Sequence, residues 1–314
     1  MIETERVGGI FLSGGKNGGY FGVVLELFKG NESRWVVKSL FDSDKFSPQK
    51  KEEEFIEWVM GSNCSRFVTD VPTSKSFCER CDLVCPGEKK CSHKSVKNIK
   101  NIIDDLLGND LLHSSARPKE YERKREELKT YDHKRDWRKE VNDLPPLSPS
   151  FKRKLKSTFL PYWHRSIDLY VWINFHDSLL KVLNYSYDSF GHTSLMIIKR
   201  FDYLKNLLGN SINFHESNTN VVLLQLLKAK VINKGHLNGL RFLDETTIDD
   251  KKSLIRNLER NLNLFAYESD ILDLILGPKM INAFLLALSG FSKVQGRADD
   301  LPSWCEEDFI IPNF

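Results

Sequence analysis

The chain has 314 residues, 40% of them hydrophobic and 28% charged, which is enough apolar content for one or two buried cores. Its formal net charge of +3 neither demands nor opposes a nucleic-acid partner. No stretch reaches the roughly 18 apolar residues of a membrane span, and the charged opening MIETERVGG lacks a signal-peptide core, so a cytoplasmic location with reduced thiols is expected.

The first forty residues predict three strands, Val7–Leu12, Tyr20–Phe28 and Arg34–Phe41. The turns Ser13–Gly19 and Gly30–Ser33 join them into an antiparallel meander. The glycines around Lys16 read first as a hairpin turn; cradling a phosphate is the second reading, without P-loop spacing. Gln49–Met60 predicts a helix with Phe55, Ile56, Val59 and Met60 on one face. Arg66–Val71 predicts a short buried strand, and Val96–Leu107 a helix. Residues 116–141 interleave bases and acids as an exposed helix does. Leu144–Pro149 reads as a linker.

Further on, Ile167–Trp172 is apolar and aromatic, and Ser194–Leu208 has helical period. Ser211–Glu216 predicts a strand, followed by helices at Asn220–Leu227, Asp249–Leu264 and Asp270–Leu288. Leu301–Phe314 is expected to be a terminal strand or coil. The order predicts one α/β domain over residues 1–314, a mixed sheet covered by helices, carrying a cysteine hairpin at 77–94 and a helical, basic insertion at 95–160.

Cys78, Cys81, Cys85 and Cys91 are spaced C-x2-C-x3-C-x5-C. Thiolates are soft ligands, and four in so short a segment converge on one ion with little chain ordering. Zinc is the favoured ion; an iron–sulfur cluster is the alternative, suggested by the close first three cysteines and the Pro86 that follows. His93 reads as a loop histidine and as a substitute ligand, while Cys64 and Cys305 read as small buried hydrophobes. The run Lys152-Arg153-Lys154-Leu155-Lys156, with Arg165, is the candidate phosphate-contact surface for a nucleic acid. Tyr131, Trp137, Tyr162 and Trp163 stand nearby in sequence for stacking.

Four pieces, taken in order, resemble a family of predicted ribonuclease H-like nucleases, a domain of unknown function. They are Gly9–Asn17; Phe67–Pro72 running on to Cys85-Pro86-Gly87; Pro161–Tyr170; and Gly191–Leu195 with Phe214–Ser217 and the helix around Asn282. The resemblance implies a ribonuclease H-like fold and two-metal hydrolysis of nucleic-acid phosphodiesters, with carboxylates holding Mg²⁺ or Mn²⁺. The matching positions here are Phe11, Asp70, Glu216 and Asn282, with Asp168 an additional acid beside Arg165.

Two matches depart from the family's pattern, because Phe11 and Asn282 stand where aspartates are expected. The implied function is a nuclease-family protein acting on nucleic acid, with degraded catalysis. The alternatives are a non-catalytic nucleic-acid or protein-binding module on a disabled nuclease core, and a nucleotide-dependent activator with an iron–sulfur site.

Overall fold

The structure, a computed structural model, describes residues 5–14, 18–29, 33–127, 146–241, 247–277 and 279–314. Lys16, residues 30–32, the basic stretch 128–145 and the candidate stacking residues Tyr131 and Trp137 lie outside these. The chain divides into two compact units. The first is Met1–Thr73 with Thr193–Asp300 and Asp308–Phe314; the second is Ser74–His192 with Leu301–Glu307.

In chain order the elements are β1 (Arg6–Leu12), β2 (Tyr20–Lys29), β3 (Ser33–Asp42), α1 (Lys51–Gly61), β4 (Arg66–Thr69), α2 (Lys94–Ala116) and α3 (Pro118–Glu127). Then come α4 (Pro149–Thr158), α5 (Ser166–Leu183), α6 (Leu195–Leu208), β5 (Asn213–Glu216), α7 (Thr219–Lys228) and α8 (Lys234–Arg241). The last are α9 (Ile248–Leu262), β6 (Leu264–Phe265), α10 (Glu268–Leu276) and α11 (Met280–Val294). No single helix among the described residues is long and apolar enough to cross a membrane.

The first unit holds a six-stranded mixed sheet in the order β5-β4-β1-β2-β3-β6. β1, β2 and β3 form the expected antiparallel meander. β4 runs parallel to β1, β5 parallel to β4, and β6 parallel to β3. Helices cover both faces, so Tyr20–Leu25 of β2 is buried throughout and reads as a continuous apolar run without alternation. On one face Phe55 and Val59 of α1 and Phe201, Leu204 and Leu208 of α6 pack with Ile10, Val24, Phe41 and Phe67.

The other face receives α11 at unusually short range. A Cβ on Gly9 would fall 2.0 Å from the Ala283 carbonyl and 2.3 Å from the Ala287 amide, so glycine is what permits the approach. Gly290, further along α11, sits in the same way against Val7 and Val68.

The expected helix Asp270–Leu288 is two helices, α10 and α11. The sequence Gly277-Pro278 explains the break. The residue before a proline is pushed out of the helical region, and Gly277 accordingly has φ −87° and ψ 96°. The helix expected at Val96–Leu107 runs on to Ala116, because Asp110 is fixed by the Tyr121 hydroxyl at 3.0 Å and the Leu147 amide at 2.8 Å. The end of the expected linker starts α4 instead. Ser148 accepts from the Phe151 amide at 3.0 Å, and Pro149 occupies the first helical position, where its missing N–H costs nothing.

Candidate functional site

Strand register determines what meets at the acidic positions. Ile10 pairs with Thr69 across β1 and β4, and Thr69 with Glu216 across β4 and β5. One step beyond the first pair, Phe11 and Asp70 stand side by side. Phe11, Asp70 and Glu216 therefore occupy the carboxyl ends of three adjacent parallel strands, where sheets of this kind place ligands.

Their environments differ. Phe11 packs against a buried cluster of Val68, Leu286 and Ile310, with its ring 6.5 Å from that of Phe21. Asp70 is half-buried, and its carboxyl pKa is pushed up to about 7. Burial is the larger cause and the Glu216 charge adds to it, against a hydrogen bond from Asp70's own amide. Glu216 is buried, and its Oε2 accepts the Thr73 amide at 2.9 Å and the Thr73 hydroxyl at 3.4 Å. Asn282 is half-buried in the first turn of α11, one turn before Leu286.

This donor set does not fit two divalent cations. Phe11 offers no lone pair, Glu216 spends one oxygen on the 71–73 turn, and Asn282 brings no charge. Beside Glu216, His215 and Lys293 both engage Asp308, at 2.6 and 2.7 Å, and hold its carboxyl well below the usual range.

Asp168 and Arg165 belong to the second unit. Asp168 is fully buried; its Oδ2 accepts the Arg165 amide and its Oδ1 the Ser189 amide, both at 2.8 Å. It caps α5 and ties that helix to the 187–189 segment. The Arg165 guanidinium is also fully buried and donates to the hydroxyls of Ser74 at 2.9 Å and Ser189 at 2.6 Å. In this arrangement the guanidinium lies inside the second unit rather than on its surface.

The basic run falls on α4 and divides. Lys152 is bound to Asp110 at 2.5 Å and to the Tyr121 hydroxyl at 2.7 Å. Lys154 is half-buried with its ammonium 4.4 Å from the Trp172 ring centroid, and burial lowers its pKa. Arg153 and Lys156 remain exposed.

The cysteine segment is built on two single 3₁₀ turns, Cys78–Arg80 and Glu88–Lys90. Each ends on a cysteine whose amide donates three residues back, Cys81 to Cys78 at 3.4 Å and Cys91 to Glu88 at 3.3 Å. All four thiols are free, and the Cys78 thiol pKa is raised by partial burial and by the like charges of Cys85, Cys91 and Cys81. Residues 78–92 include no buried residue. Two residues past Cys91, His93 is half-buried with its Nδ1 enclosed and without a hydrogen-bond partner among the described residues. Among the described residues no three His, Cys, Asp or Glu side chains are gathered in a ligating arrangement. The donor chemistry itself, four soft thiols acting on one another, fits a thiophilic cation. Cys64 is buried, as expected, and its thiol pKa is pushed up to about 11, whereas Cys305 is half-buried.

One cavity has no counterpart in the sequence reading. It has a volume of about 670 Å³ and lies between the first turns of α2 and the Ser303–Glu306 segment. The helical spacing of Lys94, Lys97, Asn98 and Asn101 is the signal by which the sequence could have shown one wall of it. No protein-family model, no curated protein and no solved structure matches the chain.

Proposed function

We propose that this chain is a non-catalytic nucleic-acid-binding protein, built on a ribonuclease H-like core whose two-metal centre is disabled, with a zinc ion stapling its cysteine segment. The three antiparallel strands β1–β3, continued by parallel β4 and β5 under helices on both faces, support the core assignment. The observation that carries the loss of catalysis is Phe11, packed into an apolar cluster beside Asp70 where a ligand is needed. Asp70 does not make up the deficit, because burial and the Glu216 charge both oppose its ionisation.

Zinc is favoured at the cysteines on an energetic ground. A fifteen-residue segment with no fully buried side chain gains little from the hydrophobic effect, so a further source of order is needed. Zn²⁺ on four thiolates supplies that order and neutralises their repulsion.

Binding is tested with labelled single- and double-stranded oligonucleotides, by fluorescence anisotropy across a salt series. The expected result is affinity that falls steeply with salt, since phosphate contacts release counterions. Absence of binding to every oligonucleotide at low salt would contradict it.

A further inference from the structure

Lys94, Lys97, Asn98 and Asn101 are spaced three, one and three residues apart on α2, which puts them on one stripe of the helix. Val96, Ile99 and Ile103 are buried, so the opposite side anchors the helix and the polar stripe is left outward. That stripe forms one wall of the 670 Å³ cavity, with Ser92 and Ser95 at its end. Ser303, Trp304 and Glu306 form the other wall.

The charges on the two walls are not matched. Among the described residues no acid pairs with Lys94 or Lys97, and both are exposed. Glu306 is already engaged, by Arg80 at 3.2 Å and by the Ser95 hydroxyl. The groove therefore presents net positive charge. Trp304 is half-buried, and Tyr170 holds its indole at a centroid distance of 6.2 Å. An aromatic face fixed in this way, across from two ammonium groups and two amides, has the parts that a nucleotide strand requires.

We propose that a short run of single-stranded nucleic acid lies in this groove. One base stacks on Trp304, phosphates meet Lys94 and Lys97, and Asn98 and Asn101 hydrogen-bond base edges or sugar hydroxyls. A single strand is specified because stacking on a side chain needs an exposed base face, which a duplex does not offer. The inference rests on the nucleic-acid reading above and moves its contact surface from α4 to α2.

The test is anisotropy with labelled oligonucleotides of about twelve nucleotides, single-stranded and duplex. Trp304→Ala should weaken single-strand binding about tenfold, the equivalent of about 1.4 kcal/mol. The Lys94→Ala, Lys97→Ala double variant should lower the slope of log K against log salt by about 1.4, at about 0.7 per phosphate contact. Asn98→Ala with Asn101→Ala should flatten any preference among bases. Circular dichroism checks folding, and if Trp304→Ala fails to fold, Trp304→Phe and the lysine salt slope decide.

Wild-type binding that survives the tryptophan and lysine changes would overturn the groove while leaving the nucleic-acid reading standing. So would equal affinity for duplex, or complete displacement by an equimolar mononucleotide, which would make the cavity a nucleotide pocket. Wild type that binds no oligonucleotide would overturn both.

Discussion

Asp70 is a carboxyl that the fold prefers protonated, and this makes the stability of the sheet depend on pH in an unusual direction. Its pKa rises from 3.8 to about 7 on folding. Below pH 4 the folded and unfolded chains both carry the proton, and the group contributes nothing. Between pH 4 and pH 7 the unfolded chain releases the proton first, so stability falls as pH rises; above pH 7 the penalty is complete. At 1.36 kcal/mol per pH unit the full rise is worth about 4 kcal/mol. Asp70 is half-buried rather than sealed, so solvent screening reduces the expected effect to about 2 kcal/mol. Asp70→Asn keeps the shape and removes the titration. The variant should be more stable than wild type by about 2 kcal/mol at pH 8, and the gain should vanish toward pH 4. Amide exchange of β2, read by mass spectrometry, reports this sheet separately from the second unit; the gain corresponds to about thirty-fold slower exchange. Glu216→Gln should lower the Asp70 pKa by removing the neighbouring charge, as followed by carboxyl NMR. A difference between Asp70→Asn and wild type that is constant from pH 4 to pH 8 would refute the reasoning.

Three further outcomes follow from the packing. Gly9→Ala should cost about 3 kcal/mol or more by thermal unfolding, since its methyl group meets helix backbone at 2.0 Å, whereas Gly61→Ala, with nothing within 4 Å, should stay within about 0.5 kcal/mol. Lys152→Ala should destabilise the second unit by about 1–3 kcal/mol, because the Asp110 side chain, 7% exposed, loses its counterion, while oligonucleotide affinity stays unchanged. Protein purified without added metal should contain about one zinc per chain by elemental analysis. Cys81→Ser should release that zinc and speed amide exchange across 78–92, leaving the sheet amides protected; absence of both zinc and iron would remove the metal from the account.

The meander was legible because its signals are local: two turn-forming segments between β-branched and aromatic runs. The division of Asp270–Leu288 was also written locally, in Gly277-Pro278, but the apolar period on either side masked it. Asp168 shows how one pattern serves two roles. An acid three residues after an N-cap resembles a site residue, yet it is also the spacing at which a carboxylate reaches back to the N-cap amide, and Asp168 makes that bond to Arg165. The basic run at 152–156 was visible as charge, but the partner of Lys152 is Asp110, 42 residues earlier, and Trp172 covers Lys154. β6 has two residues and owes its existence to pairing with β3, so no periodicity announces it. The groove on α2 was hidden for the same reason, since Trp304 lies some two hundred residues from Lys94.

The central claim, that the strand-end acids no longer assemble a two-metal centre, is tested most directly by titrating the wild-type protein with Mn²⁺ in a calorimeter and assaying cleavage of labelled single- and double-stranded substrates on the same preparation. With Phe11 packed in the apolar cluster and Glu216 engaged by Thr73, at most one Mn²⁺ should bind, weakly, and no cleavage should follow. Phe11→Asp with Asn282→Asp should raise Mn²⁺ affinity, and Asp70→Ala in that background should abolish the gain. Tight binding of two Mn²⁺ by wild type, with cleavage that disappears in Asp70→Ala, would contradict the account and establish a working nuclease in its place.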